Sequence, residues 1–436
     1  MVTFLQFLRR ELALSSTELP NYRVPPSKLS ESYAFLLVPW QLERFLCYGF
    51  FICLDSFLFF FTLLPLRLLL TFFQLCMNPR KPSKVITTEV ADDLFKGALL
   101  AFALVVLWIP TWTEYSQVYH FIRGESILKL YVIYNVLEVF DKLCCAFGQD
   151  VLDAVLFAFL YTNMRCVPCC LFFLAAGLYV CGHVLIIFLQ LVTLNVALNS
   201  ENNALFTMLV SNNFVELKSN VFKRFGKENL FQVSCADVVE RFQIFMYIFI
   251  MLVQNFRGMQ FGGAQMVDAT MVYGCEILTD YIKHAFIIKF NHLDPSMYSK
   301  FEQILCSDVL DSRTAEQQHS VIGALLYSTG AAPQSARPSV SRRIGLVVMP
   351  SVVLFSRCCL EAVPDIMPFG DNWHMALLSV LLVYGTLVVL KLFTSIVITG
   401  HSCKVRLRVP AAPSPAPAAN LRPGLAAGNP ATHAAW

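Results

Sequence analysis

Charge is scarce in this chain. Asp, Glu, Lys and Arg make up 14% of its 436 residues, against about 25% in ordinary soluble domains. Hydrophobic residues account for 56%, Phe alone for 38 positions, and mean hydropathy is +0.59. A water-soluble enzyme of this size is excluded, because that much apolar surface has no interior large enough to hide in. Disorder of the whole chain is excluded as well, since it needs low hydrophobicity and high net charge. The formal charge of +3 lacks the basic excess that a nucleic-acid partner calls for. Membrane lipid is the expected surrounding.

Other absences narrow the class. There is no Asn-x-Ser/Thr sequon, so glycosylation marks neither side of a membrane. Met1 to Arg10 places Arg9 and Arg10 after its apolar stretch, the reverse of a signal peptide, so a transmembrane segment is expected to direct targeting. H-E-x-x-H, G-x-S-x-G, Walker A and G-x-G-x-x-G motifs are missing, and the eight histidines include no pair at ligand spacing. Catalytic, cofactor-binding and metal sites are therefore not expected. No internal repeat is visible, which argues against an inverted-repeat transporter. Most of the 15 cysteines, such as Cys47, Cys53, Cys76, Cys181 and Cys275, sit in apolar runs, where free Cys acts as a small hydrophobe.

What the chain does have is long apolar runs, and a span needs about 20 such residues. They lie near 45–77, 94–112, 169–196, 242–256 and 266–290, followed by a pair at 344–360 and 375–399. The expected fold is all-α, a multi-pass transmembrane helical bundle of about six to eight spans with amphipathic interfacial helices. Pro65 interrupts the first run, which is either one kinked span or a hairpin of two half-spans. The turn 361–374 has acidic residues and no Lys or Arg, whereas Arg342, Arg343, Lys404, Arg406 and Arg408 flank the last pair. That bias puts the turn on the lumenal or outer side and the flanks in the cytosol. The chain divides into a polar or interfacial N-terminal region (1–44), a membrane core (45–310), a disordered cytosolic linker (311–343), a C-terminal transmembrane hairpin (344–404) and a disordered Pro/Ala-rich tail (405–436).

Three stretches carry unusual side chains. In the first, 127–161, Leu128, Val132, Ile133, Val136, Val139, Phe140 and Leu143 share one helical face. Tyr131, Tyr134, Glu138 and Asp141 share the opposite one. After Gly148 and Gln149, a second helix is expected to put Asp150 and Asp153 on one stripe. A polar seam packed against other helices, a partner-binding surface and paired catalytic carboxylates all remain open, the last without an adjacent nucleophile. In the second, 266–290, Asp268, Glu276, Asp280, Lys283 and His284 lie on one arc, with Asp280 in reach of Lys283 or His284. A wet interfacial face, an internal ion-pair seam and an ion or proton path all fit that arc. In the third, six Asn fall between Asn195 and Asn213, including Asn199, Asn202, Asn203, Asn212 and Asn213; they suit helix capping or a cytosolic docking segment. Cys166 and Cys169 have the spacing of a redox dithiol, without the βαβ context that would support one.

The blocks YNVLEVFDKLCCAFGQDVLDA, VTLNVALNSENNALFTMLVSNNFVELKSNVFKRF, NLFQVSCADVVERF and IKHAFIIKFN resemble the transmembrane anterior posterior transformation protein family. That group includes plant pollen-defective-in-guidance proteins and a fungal endoplasmic reticulum membrane relative. The similarity runs from about Leu63 to about Lys404. It implies residence in the endoplasmic reticulum membrane, no known catalytic activity, and roles in folding quality control or in secretory and ciliary trafficking. It also implies a SUN-domain-like lumenal partner. The positions that match are Glu138, Asp141, Gly148, Gln149, Asp150, Asp153, Asn199, Asn202, Asn203, Asn212, Asn213, Glu276, Lys283 and His284, for which the family supplies no roles. The expected function is that of a non-enzymatic scaffold. The alternatives are a channel or transporter using helix 266–290, and a thiol oxidoreductase at Cys166 and Cys169.

Overall fold

An apolar chain in an apolar medium has only its own backbone to satisfy its N–H and C=O groups, and the helix does so locally. The computed structural model describes residues 26–77, 88–108, 115–161, 166–199, 226–257, 263–326, 340–366 and 373–408, with short stretches at 214–215, 217–219 and 223–224. Among these residues there is no strand. The helices are α1 (Pro26–Phe61), α2 (Leu63–Met77), α3 (Thr88–Trp108), α4 (Tyr115–Arg123), α5 (Ile127–Tyr161) and α6 (Cys166–Leu198). They are followed by α7 (Lys227–Arg257), α8 (Gly263–Phe290), α9 (Met297–Leu326), α10 (Val340–Ile344), α11 (Val348–Ile366) and α12 (Trp373–Arg408).

Among the described residues, three stretches are long and apolar enough to cross a membrane: Leu36–Met77, Cys170–Leu198 and His374–Arg408. The first holds 42 residues, about twice what one crossing needs. Its break is a single residue, Thr62, whose N–H still donates to Leu58 O at 3.0 Å. A helical hairpin needs a loop of about two to five residues, so α1 and α2 form a broken helix rather than two half-spans folded back on each other.

Two cores share a dividing wall. Val38, Phe45 and Cys53 of α1 pack with Val238 and Phe242 of α7, Ala285 of α8, Tyr298 and Leu305 of α9, and Ile398 of α12. Leu99 and Ala103 of α3, Val180, Val184 and Leu191 of α6, and Tyr247 and Ile250 of α7 form the second. Helices α7 and α11 contribute to both, with Val352 of α11 on one side and Met349 and Val353 on the other. Nearly every face of α7 is therefore covered by protein.

Several boundaries differ from expectation. The region 1–44 does not end at residue 44, because α1 runs through it and buries Val38 and Leu42 in the core. The linker begins as helix, since α9 continues to Leu326. Near the start of that continuation Arg313 ties α9 to α12, donating to Ser395 O at 3.1 Å and to the Thr399 hydroxyl. Its polar composition reads as loop, but one well-placed guanidinium docks the helix. Residues 327–339 and 409–436, the remainder of the linker and nearly all of the tail, lie outside the described residues. Among the described residues, α12 lies chiefly against α1 and α9, and α11 against α7, α6 and α3. Lys391 Nζ of α12 sits 2.6 Å from Asp55 Oδ1 of α1, whose carboxylate also accepts from Ser395 Oγ at 2.8 Å, so an ion pair joins these two helices.

Candidate functional site: two buried polar networks and a cavity

Helix α5 is one continuous helix of 35 residues, and the break expected at Gly148 is absent. Glycine is there for a different reason. A Cβ at Gly148 would collide with the Tyr179 hydroxyl of α6 and press on Val347, so the missing side chain lets α5 and α6 approach closely. Gln149 Nε2 donates to Leu346 O at 2.9 Å, tying α5 to the turn before α11.

The orientation of α5 is the reverse of a soluble amphipathic helix. Its apolar face points outward, with Leu128 75% and Val139 59% exposed, while Asp141 is 5% exposed. Val132, Val136, Phe140 and Leu143 are exposed with them. Water would expel such a face, whereas lipid accepts it, so this is the arrangement of a membrane-embedded helix. The polar seam is thus turned inward. Tyr131 and Tyr134 are half-buried and pack on the second core, and Glu138 pairs with Lys142 at 2.6 Å. Asp141 lies 2.7 Å from His183 Nε2 of α6 and accepts from Gln243 Nε2 of α7 at 3.1 Å. Asp150 and Asp153 are exposed and stand apart from this cluster. Beside it is a cavity of about 370 Å³ between α5, α6, α7 and α10, lined among others by Tyr134, Glu138, Asp141, Cys145, Glu240 and Gln243.

The second network centres on α8. Asp280, Lys283 and His284 are 0% exposed and Glu276 is 4% exposed, so these four residues of the arc do not form a wet interfacial face. Asp280 meets Lys283 one turn on, Nζ to Oδ1 at 3.0 Å, an ion pair off the line that a hydrogen bond needs. Its other oxygen accepts from Arg241 Nε of α7 at 2.7 Å. Arg241 also donates to Glu43 Oε2 of α1 at 2.8 Å, and Tyr281 donates to the same oxygen at 2.9 Å. Lys283 Nζ donates to Asp237 Oδ1 of α7 at 2.7 Å, and His284 Nε2 donates to Asp237 Oδ2 at 2.5 Å. Tyr298 of α9, 2.8 Å from His284 Nδ1, closes the row. Burial works against a charged carboxylate at Asp237, which lies ahead of the apolar stretch 242–256. Lys283 and His284 outweigh that cost and hold it well below the usual carboxylate range. Four helices, α1, α7, α8 and α9, are joined by this row of charges.

Asp268 has its helix described but not its side chain, as do Cys166 and Cys169 at the start of α6. Asn202, Asn203, Asn212 and Asn213 lie outside the described residues. Asn199 ends α6, its Nδ2 donating to Asn195 Oδ1 at 2.9 Å, as a helix-terminating side chain does. Sequence reasoning missed Glu43, Asp237, Arg241, His183, Cys145 and Gln243. The available signal was ionisable groups inside apolar helices, each of which needs a partner. Asp141, Cys145 and His183 are the described residues able to hold a metal ion, their donor atoms lying within 4.8 Å of one another.

An all-α chain with lipid-facing apolar helices and its charges paired inside is an integral membrane protein. Comparison with known proteins identifies which kind. Residues 86–406 match the model of a family described as "Eukaryotic membrane protein family". The chain is 40% identical over 397 residues to "Protein TAPT1 homolog" of Dictyostelium discoideum, covering 86% of this chain and 45% of that protein. It is 35% identical to "Transmembrane anterior posterior transformation protein 1 homolog" of Homo sapiens, covering 92% of this chain and 69% of the relative. With "Endoplasmic reticulum membrane protein 65" of Schizosaccharomyces pombe it shares 36% identity, covering 79% of this chain and 55% of the relative. The chain belongs to the transmembrane anterior posterior transformation protein family. It spans about half the length of the Dictyostelium and fission yeast relatives. No solved structure matches it significantly.

Proposed function

We propose that this chain is a multi-pass protein of the endoplasmic reticulum membrane that acts as a non-enzymatic scaffold in folding quality control or in secretory and ciliary trafficking. One relative's name places that relative in the endoplasmic reticulum membrane. The observation that carries the scaffold reading is how the charges of α8 are used. Asp280, Lys283 and His284 each face a protein partner on α7 or α9, and Arg241 extends the network to Glu43 of α1, so four helices are locked into a fixed frame. The proposed partners are membrane lipid and, by family resemblance, a SUN-domain-like protein of the endoplasmic reticulum. Affinity purification in mild detergent is expected to recover such a lumenal partner; a chain that purifies alone after crosslinking in cells would refute the reading.

A second reading has an observation of its own. The row from Glu43 through Arg241, Asp280, Lys283, Asp237 and His284 places ionisable groups in sequence across the core, as a proton relay would. Purified chain in liposomes is the test: flux that falls with Asp280→Asn supports transport, and flux equal to that of empty liposomes excludes it.

A further inference from the structure

His183 sits in the apolar helix α6, and its neighbours assign its protons. Tyr179, one turn earlier, donates its hydroxyl proton to Cys144 O at 2.8 Å and lies 3.0 Å from His183 Nδ1. A hydroxyl has one proton, and here it is committed to the carbonyl. Nδ1 must therefore be the donor to the Tyr179 oxygen, which leaves the lone pair of a neutral imidazole on Nε2. That lone pair faces Asp141 Oδ1 at 2.7 Å. At 2.7 Å a proton bridges the two atoms as a hydrogen bond; one metal ion bound by both at about 2.0–2.2 Å holds them roughly 3.3 Å apart, so loading the site moves His183 and Asp141 apart by about half an ångström.

A second proton on His183 satisfies Asp141 while the site is empty, and Cys145 adds a third donor that this pair does not need. The Cys145 sulfur lies 3.9 Å from the same Nε2, on the same side of α5 as Asp141, and all three donor atoms converge within 4.8 Å. Nitrogen, sulfur and oxygen donors together are the set preferred by zinc-class ions. A thiolate and a carboxylate also neutralise a divalent cation, which suits a site 2% exposed at His183 between apolar helices. Two of the ligands are steadied from behind: Tyr179 holds the ring of His183, and Gln243 holds the second oxygen of Asp141 at 3.1 Å. Asp141 and Cys145 both line the cavity of about 370 Å³, which leaves space for a fourth ligand.

We propose that Asp141, Cys145 and His183 form a binding site for one divalent transition-metal ion of the zinc class, with its fourth position open to the cavity. Binding releases the Cys145 thiol proton, and also the second proton of His183 where that is present. Gly148 belongs to the site indirectly, because it lets Tyr179 lie against α5.

The test uses the full chain purified in mild detergent without chelator. Elemental mass spectrometry is expected to find about one zinc-class ion per chain. Stripped protein refilled with Co2+ is expected to show thiolate-to-cobalt charge-transfer absorption, lost in Cys145→Ser and strongly weakened in His183→Asn. The absorption is read on wild-type protein first, so the proposal stays testable even if a variant fails to fold. Wild-type protein that binds neither Zn2+ nor Co2+ stoichiometrically overturns the site and leaves a His183–Asp141 ion pair. A thiolate–cobalt band that survives Cys145→Ser overturns it too, by placing the metal on other cysteines.

Discussion

Replacing Lys283 by Met removes the cation at the middle of the α7–α8 network while keeping the length of the side chain. The ammonium is 0% exposed and touches two carboxylates, Asp237 at 2.7 Å and Asp280 at 3.0 Å. At an effective dielectric of about 20, each contact contributes roughly 6 kcal/mol of Coulombic attraction. The several kcal/mol needed to desolvate each ion offset most of that. The variant does not lose the full attraction, because Asp280 keeps Arg241 and Asp237 keeps His284. Stranding a buried charge by removing one partner costs about 3–5 kcal/mol, which raises the unfolded-to-folded ratio by roughly two to four powers of ten. The double variant Lys283→Met with Asp237→Asn removes both charges together and is expected to recover part of the loss, since no Asp237 carboxylate is then left without its cation. The assay is reversible unfolding in mixed detergent micelles, followed by the fluorescence of the 5 Trp. A Lys283→Met variant within about 0.5 kcal/mol of wild type, the range of surface substitutions, would show that this helix face is wet and that the network does not hold the helices.

Gly148→Ala is expected to destabilise the protein by about 1–3 kcal/mol through overpacking against Tyr179 and Val347, even though Ala is the better helix former by about 1 kcal/mol. A rise in thermal stability would refute the close approach of α5 and α6. Lys391→Met leaves Asp55 with Ser395 and Thr394 as hydroxyl donors, so its cost should be smaller than at Lys283, about 1–3 kcal/mol. Adding Arg313→Ala should deepen it, because Arg313 Nη2 lies 3.9 Å from Asp55 Oδ2; strictly additive losses would show that Arg313 does not compensate. Val389→Arg on the outward face of α12, where Val389 is 67% exposed, is expected to weaken membrane insertion by about 2.5–3.5 kcal/mol. Alkali extraction reads this as chain lost from the membrane pellet, and unchanged retention would argue that this face does not meet lipid.

The helices were legible because apolar runs of sufficient length have one stable backbone solution in lipid. Long runs such as 169–196 correspond to α6, and the pairing of Asp280 with Lys283 followed from their spacing of three residues. Less legible was the continuity of α5 through Gly148. A glycine within a helical pattern signals either a break or a close neighbour, and only the position of Tyr179 separates the two. The helical extension of α9 was illegible for a similar reason, since its anchor is Arg313 meeting residues of α12 more than 80 positions away. The sequence left a wet face on α8 open beside a buried seam because polarity on one side of a helix does not say whether water or other helices lie there.

By itself the sequence determined the class: too little charge and too much apolar length for anything but an α-helical membrane protein, with conserved-order blocks that carry the family resemblance. Tertiary structure decided which faces are inside and which charges meet. In water a helical stripe has one orientation, apolar side in. In a bilayer the apolar side of α5 is equally content against lipid, so the pattern alone leaves the direction open, and packing with α6 and α7 turns Asp141 inward. Arg241 meets Asp280 39 positions away and Glu43 198 positions away, and local spacing holds no record of such pairs. Arg241, Asp237 and Asp141 needed partners from other helices, and only the assembled bundle supplied them.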